Sequence, residues 1–337
     1  MDITPSLRHH RHRVTHSPQI MGILNTTPDS FSDGGAYIEP DTAVIRAQDL
    51  VRAGAHYIDV GGESTRPGAT PIDLETEITR TLPTVAAVAA IGVPVVSIDT
   101  TKAEVARQAI ILGAQMVNDV SGGFADPTML SMVADADVDL VLGHWRRYLP
   151  ATIREANATS QVKSIIAEMS RIIDHALAAG VGSSRLMIDP GIGFSKSPET
   201  CWQLLTSLDE IGRLGFPIVL GCSRKRLLSS ALTQSGVERK PAERDFASTA
   251  LHAIAALHGA VDVLRVHNVA ATHDALAITT AWRSHVPAAA NSQDRADDGD
   301  IGGHLDDTAP PMRMVKPNRP RPRSSVSTSP PGRWTPR

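Results

Sequence analysis

Short apolar runs rich in β-branched residues alternate with longer stretches of helical spacing across residues 19–286. The runs fall at 19–24, 56–60, 94–98, 116–117, 139–142, 185–188, 217–220 and 261–266, eight in all. Between them, apolar side chains recur every three or four positions, as at 42–53, 74–90, 102–112, 162–179 and 246–258. That is the period of a helix with one buried face. Four of these stretches close on glycine, at Gly54, Gly113, Gly180 and Gly259, a residue that takes the left-handed conformation ending a helix without steric cost. Near-continuous apolar strands need cover on both faces, so the pattern predicts a parallel sheet flanked by helices. Eight strand–helix units favour closure into an α/β fold of the (β/α)8 TIM-barrel type over an open doubly wound sheet. The open alternative also lacks its fingerprint. No G-x-G-x-x-G follows the first run, no P-loop occurs, and Gly191-Ile192-Gly193 is too short a match.

Composition changes sharply outside this zone. Residues 1–18 form a polar leader carrying His9, His10, His12 and His16, with no apolar segment behind its charges; it is expected to be solvated and disordered, and it does not read as a secretory signal. From 287 onward, Asp294, Asp297, Asp298 and Asp300 give way to a Pro/Arg-rich stretch at 317–323. Such a segment buries too little apolar area to offset its ordering entropy, so 287–337 is expected to be a disordered tail and 19–286 the folded barrel. A net charge of −3 gives no global basic surface for nucleic acid. Two cysteines, Cys201 and Cys222, are too few for a disulfide framework or a zinc finger. No apolar run approaches the ~18 residues that span a membrane, and the expected compartment is the cytoplasm.

In a barrel of this kind, chemistry gathers at the C-terminal ends of the strands. Those ends are polar here, one after another: Asn25, Gly61-Gly62-Glu63-Ser64-Thr65-Arg66-Pro67, Asp99, Asn118-Asp119, His144-Trp145, Asp189, Ser223-Arg224-Lys225, and Arg265 with His267. One polar residue at a strand end is usually a cap for the next helix. A whole ring of them describes a cavity. Asp99, Asn118 and Asp189 supply acceptors and an amide suited to a flat, nitrogen-rich heterocycle, while Arg66, Lys225, Arg265 and His267 supply donors for an anionic, phosphate-bearing group. The Gly61-Gly62 turn with Ser64 and Thr65 can add backbone N–H groups and hydroxyls.

At these residues the chain resembles the dihydropteroate synthase family over nearly all of 19–286, with a look closest to actinobacterial members at His144-Trp145-Arg146. Two long stretches carry the resemblance, from Met21 to Gly35 and from Asp59 to Gly68. Five short ones follow in order: Ser97-Ile98-Asp99-Thr100, Val117 to Gly122, Asp189 to Phe194, Ser223-Arg224-Lys225 and Arg265-Val266-His267. The resemblance implies condensation of 6-hydroxymethyl-7,8-dihydropterin diphosphate with para-aminobenzoate to give dihydropteroate and pyrophosphate. It implies Mg²⁺ at Asn25, a pterin clamp of Asp99, Asn118, Asp189 and Lys225, and a diphosphate anchor of Arg265 and His267. Thr65 and Arg66 then contact substrate, while Pro67, Phe194 and Ser223 line the aminobenzoate pocket. The loop 29–35, with Phe31 and Asp33, closes over the diphosphate. A homodimer formed through the last helices, including the aliphatic stretch 250–257, is implied as well.

Some positions depart from the family pattern. Gly143 stands in place of a methionine, Thr200-Cys201 in place of a His-Asn pair, and Asn268 in place of an aspartate. Gly143 is expected to open space near the pterin floor. These departures leave a non-catalytic pterin-binding paralogue as one alternative. A pterin-dependent methyltransferase is another, although it would lack the 29–35 loop and the Ser-Arg-Lys stretch.

Overall fold

Each of the eight apolar runs forms a strand in the computed structural model, which describes residues 17–26, 40–66, 68–155, 160–233, 236 and 239–286. The strands are β1 (Gln19–Asn25), β2 (Tyr57–Gly61), β3 (Val96–Asp99), β4 (Met116–Asp119), β5 (Asp139–Gly143), β6 (Leu186–Asp189), β7 (Val219–Leu220) and β8 (Val263–Val266). They pair in parallel in the order β6-β5-β4-β3-β2-β1-β8-β7. A parallel bridge between Ile188 and Ile218 joins the two outer strands, and Ile188 N–H donates to the Pro217 carbonyl at 2.9 Å. The sheet thereby closes on itself as a (β/α)8 barrel.

The outer layer comprises α1 (Pro40–Arg52), α2 (Leu74–Ala90), α3 (Ala103–Ile111), α4 (Met129–Ala136), α5 (Gln161–Ala178), α6 (Pro198–Thr206), α7 (Leu208–Gly212), α8 (Arg226–Leu232), α9 (Asp245–His258) and α10 (Val269–His285). Local chemistry starts several of them. Asp73, Ser160, Ser197 and Asn268 each accept a backbone N–H from the first turn of α2, α5, α6 and α10, satisfying a donor that the helix leaves unpaired. All four anticipated closing glycines take positive φ, from 81° at Gly259 to 110° at Gly113. None of the described helices is long and apolar enough to cross a membrane.

Side chains alternate along each strand between the helices and the barrel interior. Ile58, Ile98, Val117, Leu142, Ile188 and Leu264 join the core beneath the helices. Met21, Tyr57, Met116, Val141, Met187, Val219 and Val263 form a separate buried cluster that plugs the barrel. Two residues beyond Tyr57, Met116, Met187 and Val263 stand Asp59, Asn118, Asp189 and Arg265. The alternation that builds the plug therefore places these polar groups directly above it.

Gly143 departs from its expected role of opening space. A Cβ there would stand 2.4 Å from Val120 Cα and 2.8 Å from the Val120 carbonyl oxygen. The loop after β4 packs its backbone straight onto the end of β5, and only a residue without a side chain permits that approach.

Candidate active site

The C-terminal strand ends open into a cleft of about 730 Å³ whose walls include Asn25, Thr65, Arg66, Asp99, Phe194, Ser223, Lys225, Arg265 and His267. A hollow of about 320 Å³ adjoins it, sharing the Glu63–Arg66 loop, Phe194 and Lys196 and extending over Trp145, Arg147 and Tyr148. Asn118 and Asp189 are buried at the ends of β4 and β6. Phe31, Asp33 and Pro67, together with the rest of the 29–35 loop, the leader to residue 16 and the tail from 287, lie outside the described residues.

Arg265 organises the floor. Its Nε donates to Asp59 Oδ2 and its Nη2 to Asp99 Oδ2, both at 2.6 Å. Asn118 Nδ2 donates to the same Asp59 oxygen at 3.0 Å. Burial opposes the charge on Arg265, but Asp59 and Asp99 outweigh it and raise its pKa. Burial also pushes the Asp99 carboxyl up to about 7, against the pull of Arg265. Asp59 is absent from the residues anticipated above, although it is a carboxylate in the middle of an otherwise apolar strand. That placement was the available signal, because an aspartate enters a buried strand only with a cation or amide to meet it.

Asp189, Lys225 and Gly221 form the adjoining wall. Asp189 Oδ1 accepts Gly191 N–H at 2.8 Å. Lys225 Nζ donates to the Ile192 carbonyl and stands 4.5 Å from the centre of the Phe194 ring. Burial raises the pKa of Asp189 and lowers that of Lys225, while each opposes the shift of the other by its charge. A Cβ added at Gly221 would lie 3.5 Å from Asp189 Oδ2, 3.8 Å from Lys225 Nζ and 3.9 Å from Arg265 Cδ. Three charged side chains thus converge over a bare patch of backbone. Behind Phe194, Cys201 Sγ accepts Gly193 N–H at 3.2 Å, and the Thr200 hydroxyl pairs with Ser197 at the start of α6.

At the rim, the Ser223 hydroxyl accepts His267 N–H at 3.3 Å and meets His267 Nδ1 at 3.1 Å. Both contacts are satisfied when the hydroxyl donates to Nδ1, which leaves the imidazole proton on Nε2. Burial, with Arg224 and Arg265 nearby, depresses the His267 pKa to about 3. His267 therefore offers a neutral N–H donor. Arg224 adopts a positive φ of 60° and pairs through Nε and Nη2 with Asp245 at 2.5 and 2.8 Å. Asn268 caps α10 through Oδ1 and donates through Nδ2 to Asp245 at 3.3 Å. An aspartate at 268 would set a second carboxylate against Asp245, so the amide suits this surrounding.

Two further clusters support the loops. Lys102 Nζ bridges Glu63 at 2.6 Å and Glu77 at 2.5 Å, while the Thr100 hydroxyl donates to Glu77 at 2.6 Å. This ties the β2 loop to α2 and the end of β3. His144, at the strand-five end, is wholly buried and its Nε2 lies 2.7 Å from Glu168 of α5, which Arg146 also clasps. Burial lowers the His144 pKa to about 4. It faces away from the cleft and secures the loop that carries Trp145.

Residues 21–267 match the family model described as pterin binding enzyme. The chain is 48% identical to the dihydropteroate synthase of Mycobacterium leprae (strain TN) over 266 residues, covering 78% of this chain and 93% of the relative. Xanthomonas albilineans dihydropteroate synthase solved with 4-aminobenzoic acid superposes with a TM-score of 0.72 at 40% identity, over 81% of this chain and 95% of the other. The same organism's enzyme in complex with 7,8-dihydropteroate gives a TM-score of 0.69 at 37% identity, over 81% and 96%. With the strand-end ring in place and this similarity running through every strand of the barrel, the chain belongs to the pterin binding enzymes and, among them, to the dihydropteroate synthase family of transferases.

Proposed function

We propose that the cleft transfers the pterinylmethyl group of 6-hydroxymethyl-7,8-dihydropterin diphosphate to para-aminobenzoate. The observation that carries this reading is the belt Asp59–Arg265–Asp99, buried at Asp59 and open to the cleft at Arg265 and Asp99, with Asn118, Asp189 and Lys225 set around it at the strand ends. A flat heterocycle bearing ring N–H, amino and carbonyl edges finds acceptors at Asp99, Asn118 and Asp189 and a donor at Lys225. The Xanthomonas relatives named for 4-aminobenzoic acid and 7,8-dihydropteroate correspond to one substrate and the product.

The reaction breaks the C–O bond to the diphosphate and forms a C–N bond from the arylamine to the same methylene carbon. The diphosphate leaves with the bonding pair, and the amine releases its proton to water. Asp189, together with Asp99 once pH rises through about 7 and its carboxyl ionises, stabilises the electron-poor methylene, and Arg265 and the neutral Nε2–H of His267 meet the departing oxygens. An arylamine is a neutral nucleophile near pH 7, so the protein supplies alignment rather than a base. Thr65, Arg66, Phe194 and Ser223 on the cleft wall seat it.

Among the described residues no cluster of three or more His, Cys, Asp or Glu side chains could cage a metal. The single amide of Asn25 on the cleft wall fits Mg²⁺, an ion that takes its other ligands from water and substrate phosphates. When bound, Mg²⁺ supplies charge neutralisation on the leaving diphosphate.

The exposed face of α9 and α10 supports a homodimer: Phe246, Ile254, Ile278 and Trp282 are 89%, 62%, 70% and 66% exposed. Apolar side chains grouped in this way mark association surfaces. Light scattering should give twice the chain mass, and Ile254→Glu should halve it.

The decisive experiment is Mg²⁺-dependent formation of dihydropteroate, run beside Lys225→Ala. Product from the wild type with a loss of roughly a hundredfold in the variant supports both activity and site. Binding of pterin diphosphate without product would overturn the catalytic reading.

A further inference from the structure

Lys196 lines both the main cleft and the adjoining hollow, yet its donors are directed elsewhere. Nζ donates to the His144 carbonyl at 2.9 Å, the Gly191 carbonyl at 2.9 Å and the Phe194 carbonyl at 3.3 Å. An ammonium has three N–H groups, and all three are engaged by main chain. One acceptor sits just past β5; the other two belong to the loop after β6. The lysine therefore cross-links two neighbouring strand-end loops.

The geometry of that loop explains the need for a cross-link. Gly191 and Gly193 take φ of 68° and 82°, and Ser195, which has a side chain, takes 49°, a conformation that is costly outside glycine. A Cβ at Gly191 would lie only 2.0 Å from the His144 carbonyl oxygen, so the two backbones touch. A second tether runs in parallel, with Trp145 Nε1 donating to Ser195 Oγ at 2.8 Å. Between the tethers the Phe194 ring lies 4.8 Å from Trp145, centre to centre, and 4.5 Å from Lys225 Nζ.

We propose that Lys196 is a positioning residue that latches the loop after β6 to the end of β5 and so sets the Phe194–Trp145 wall on which the arylamine docks. The inference rests on the transfer proposed above for the identity of that substrate. Lys196 acts through carbonyls of the loop and does not touch the reacting atoms. Its removal loosens the arylamine wall and leaves the Arg265 belt, two strands away, intact; Asp189 and Lys225 meet the same loop, at Gly191 N–H and the Ile192 carbonyl, but through bonds of their own that do not pass through Lys196.

The test compares wild type, Lys196→Met and Lys196→Arg, with each substrate varied at saturating levels of the other. Loss of a charge-assisted latch should raise KM for para-aminobenzoate about tenfold or more, while KM for the pterin diphosphate moves less than about threefold. Arginine, which can still donate to the carbonyls, should restore most of the difference. In the absence of substrates, the fluorescence due to Trp145, obtained by difference from a Trp145→Phe background, should become more accessible to acrylamide in Lys196→Met. Should that variant fail to fold, Lys196→Gln, with two amide donors, carries the same comparison. An equal rise in both KM values, or unchanged Trp145 quenching, would overturn the latch. A wild type that makes no product would instead count against the proposed transfer, and the quenching would still decide the latch.

Discussion

Arg265 and Asp59 are 206 positions apart in the chain and meet at 2.6 Å inside the barrel, where Asp59 is fully buried. The pair spans β8 and β2, the two strands that flank β1. Breaking a buried ion pair by removing one partner costs roughly 3–5 kcal/mol, because the other charge is left uncompensated. In Asp59→Asn, Arg265 keeps Asp99, so a loss near the lower end of that range is expected in urea unfolding. Activity should fall with it although Asp59 need touch no substrate. A variant with wild-type stability and kinetics would show that the belt does not set Arg265.

Asp99→Asn should lower kcat/KM roughly ten- to hundredfold, as expected for one charged hydrogen bond in the site. It should also change the pH dependence of stability in a definite direction. The folded-state pKa of Asp99 is raised, to about 7 from 3.8, so between these values the folded protein holds a proton that the unfolded chain releases. Stability from this group is present below pH 4 and declines as pH rises toward 7. The variant lacks that decline. Its melting temperature relative to wild type should therefore climb from pH 4 to pH 7.5, and a gap that stays constant would show that Asp99 titrates normally.

Much of this was legible in the sequence, and the reasons are physical. The strands were visible because β-branched runs buried on both faces carry few polar residues, with Asp59, Ser97 and Arg265 standing singly among apolar neighbours, and the five helical stretches proposed lie within two residues of the observed bounds. Of the helices outside those five stretches, α4, α6, α7 and α8 span too few turns for periodicity to register, whereas α10 has 17 residues but leaves apolar Ile278 and Trp282 exposed, which blurs its buried face. Strand ends identified the cleft residues because the barrel delivers every such end to one face. What stayed hidden was pairing across the barrel. Nothing local to Asp59 names Arg265, and nothing local to Lys196 names the His144 carbonyl. The Gly143 expectation failed for the same reason, since Val120, which occupies the space, belongs to the neighbouring strand's loop.

Gly221 offers a steric test of the cleft floor. An added Cβ would meet Asp189, Lys225 and Arg265 at 3.5–3.9 Å, ordinary van der Waals contact that the fold accommodates. Gly221→Ala should therefore keep its unfolding midpoint. The methyl group would nevertheless occupy the floor proposed for the heterocycle, and one such group in a tight pocket is worth roughly ten- to two-hundredfold in discrimination. KM for the pterin diphosphate should rise within that range, with little change for para-aminobenzoate. Unchanged kinetics would place the heterocycle away from this floor.

Gly143 separates two accounts by sign. If the glycine left a hollow, Gly143→Ala would be neutral and Gly143→Met would fill the space and stabilise the barrel. The observed packing requires the opposite. The obstruction begins at Cβ, 2.4 Å from Val120 Cα, and backbone atoms cannot swing aside as the end of a side chain can. Both substitutions should then destabilise, at or beyond the upper end of the about 1–3 kcal/mol typical of overpacking, with alanine already showing most of the loss. The displaced segment runs from Val120 into Gly122 and Gly123, whose φ of 68° and 85° hold the turn after Asp119, so the strain should reach Asn118 and weaken pterin diphosphate binding as well. Urea midpoints for the two variants decide the matter: an alanine variant as stable as wild type would mean that Val120 can retreat and that the close approach is incidental.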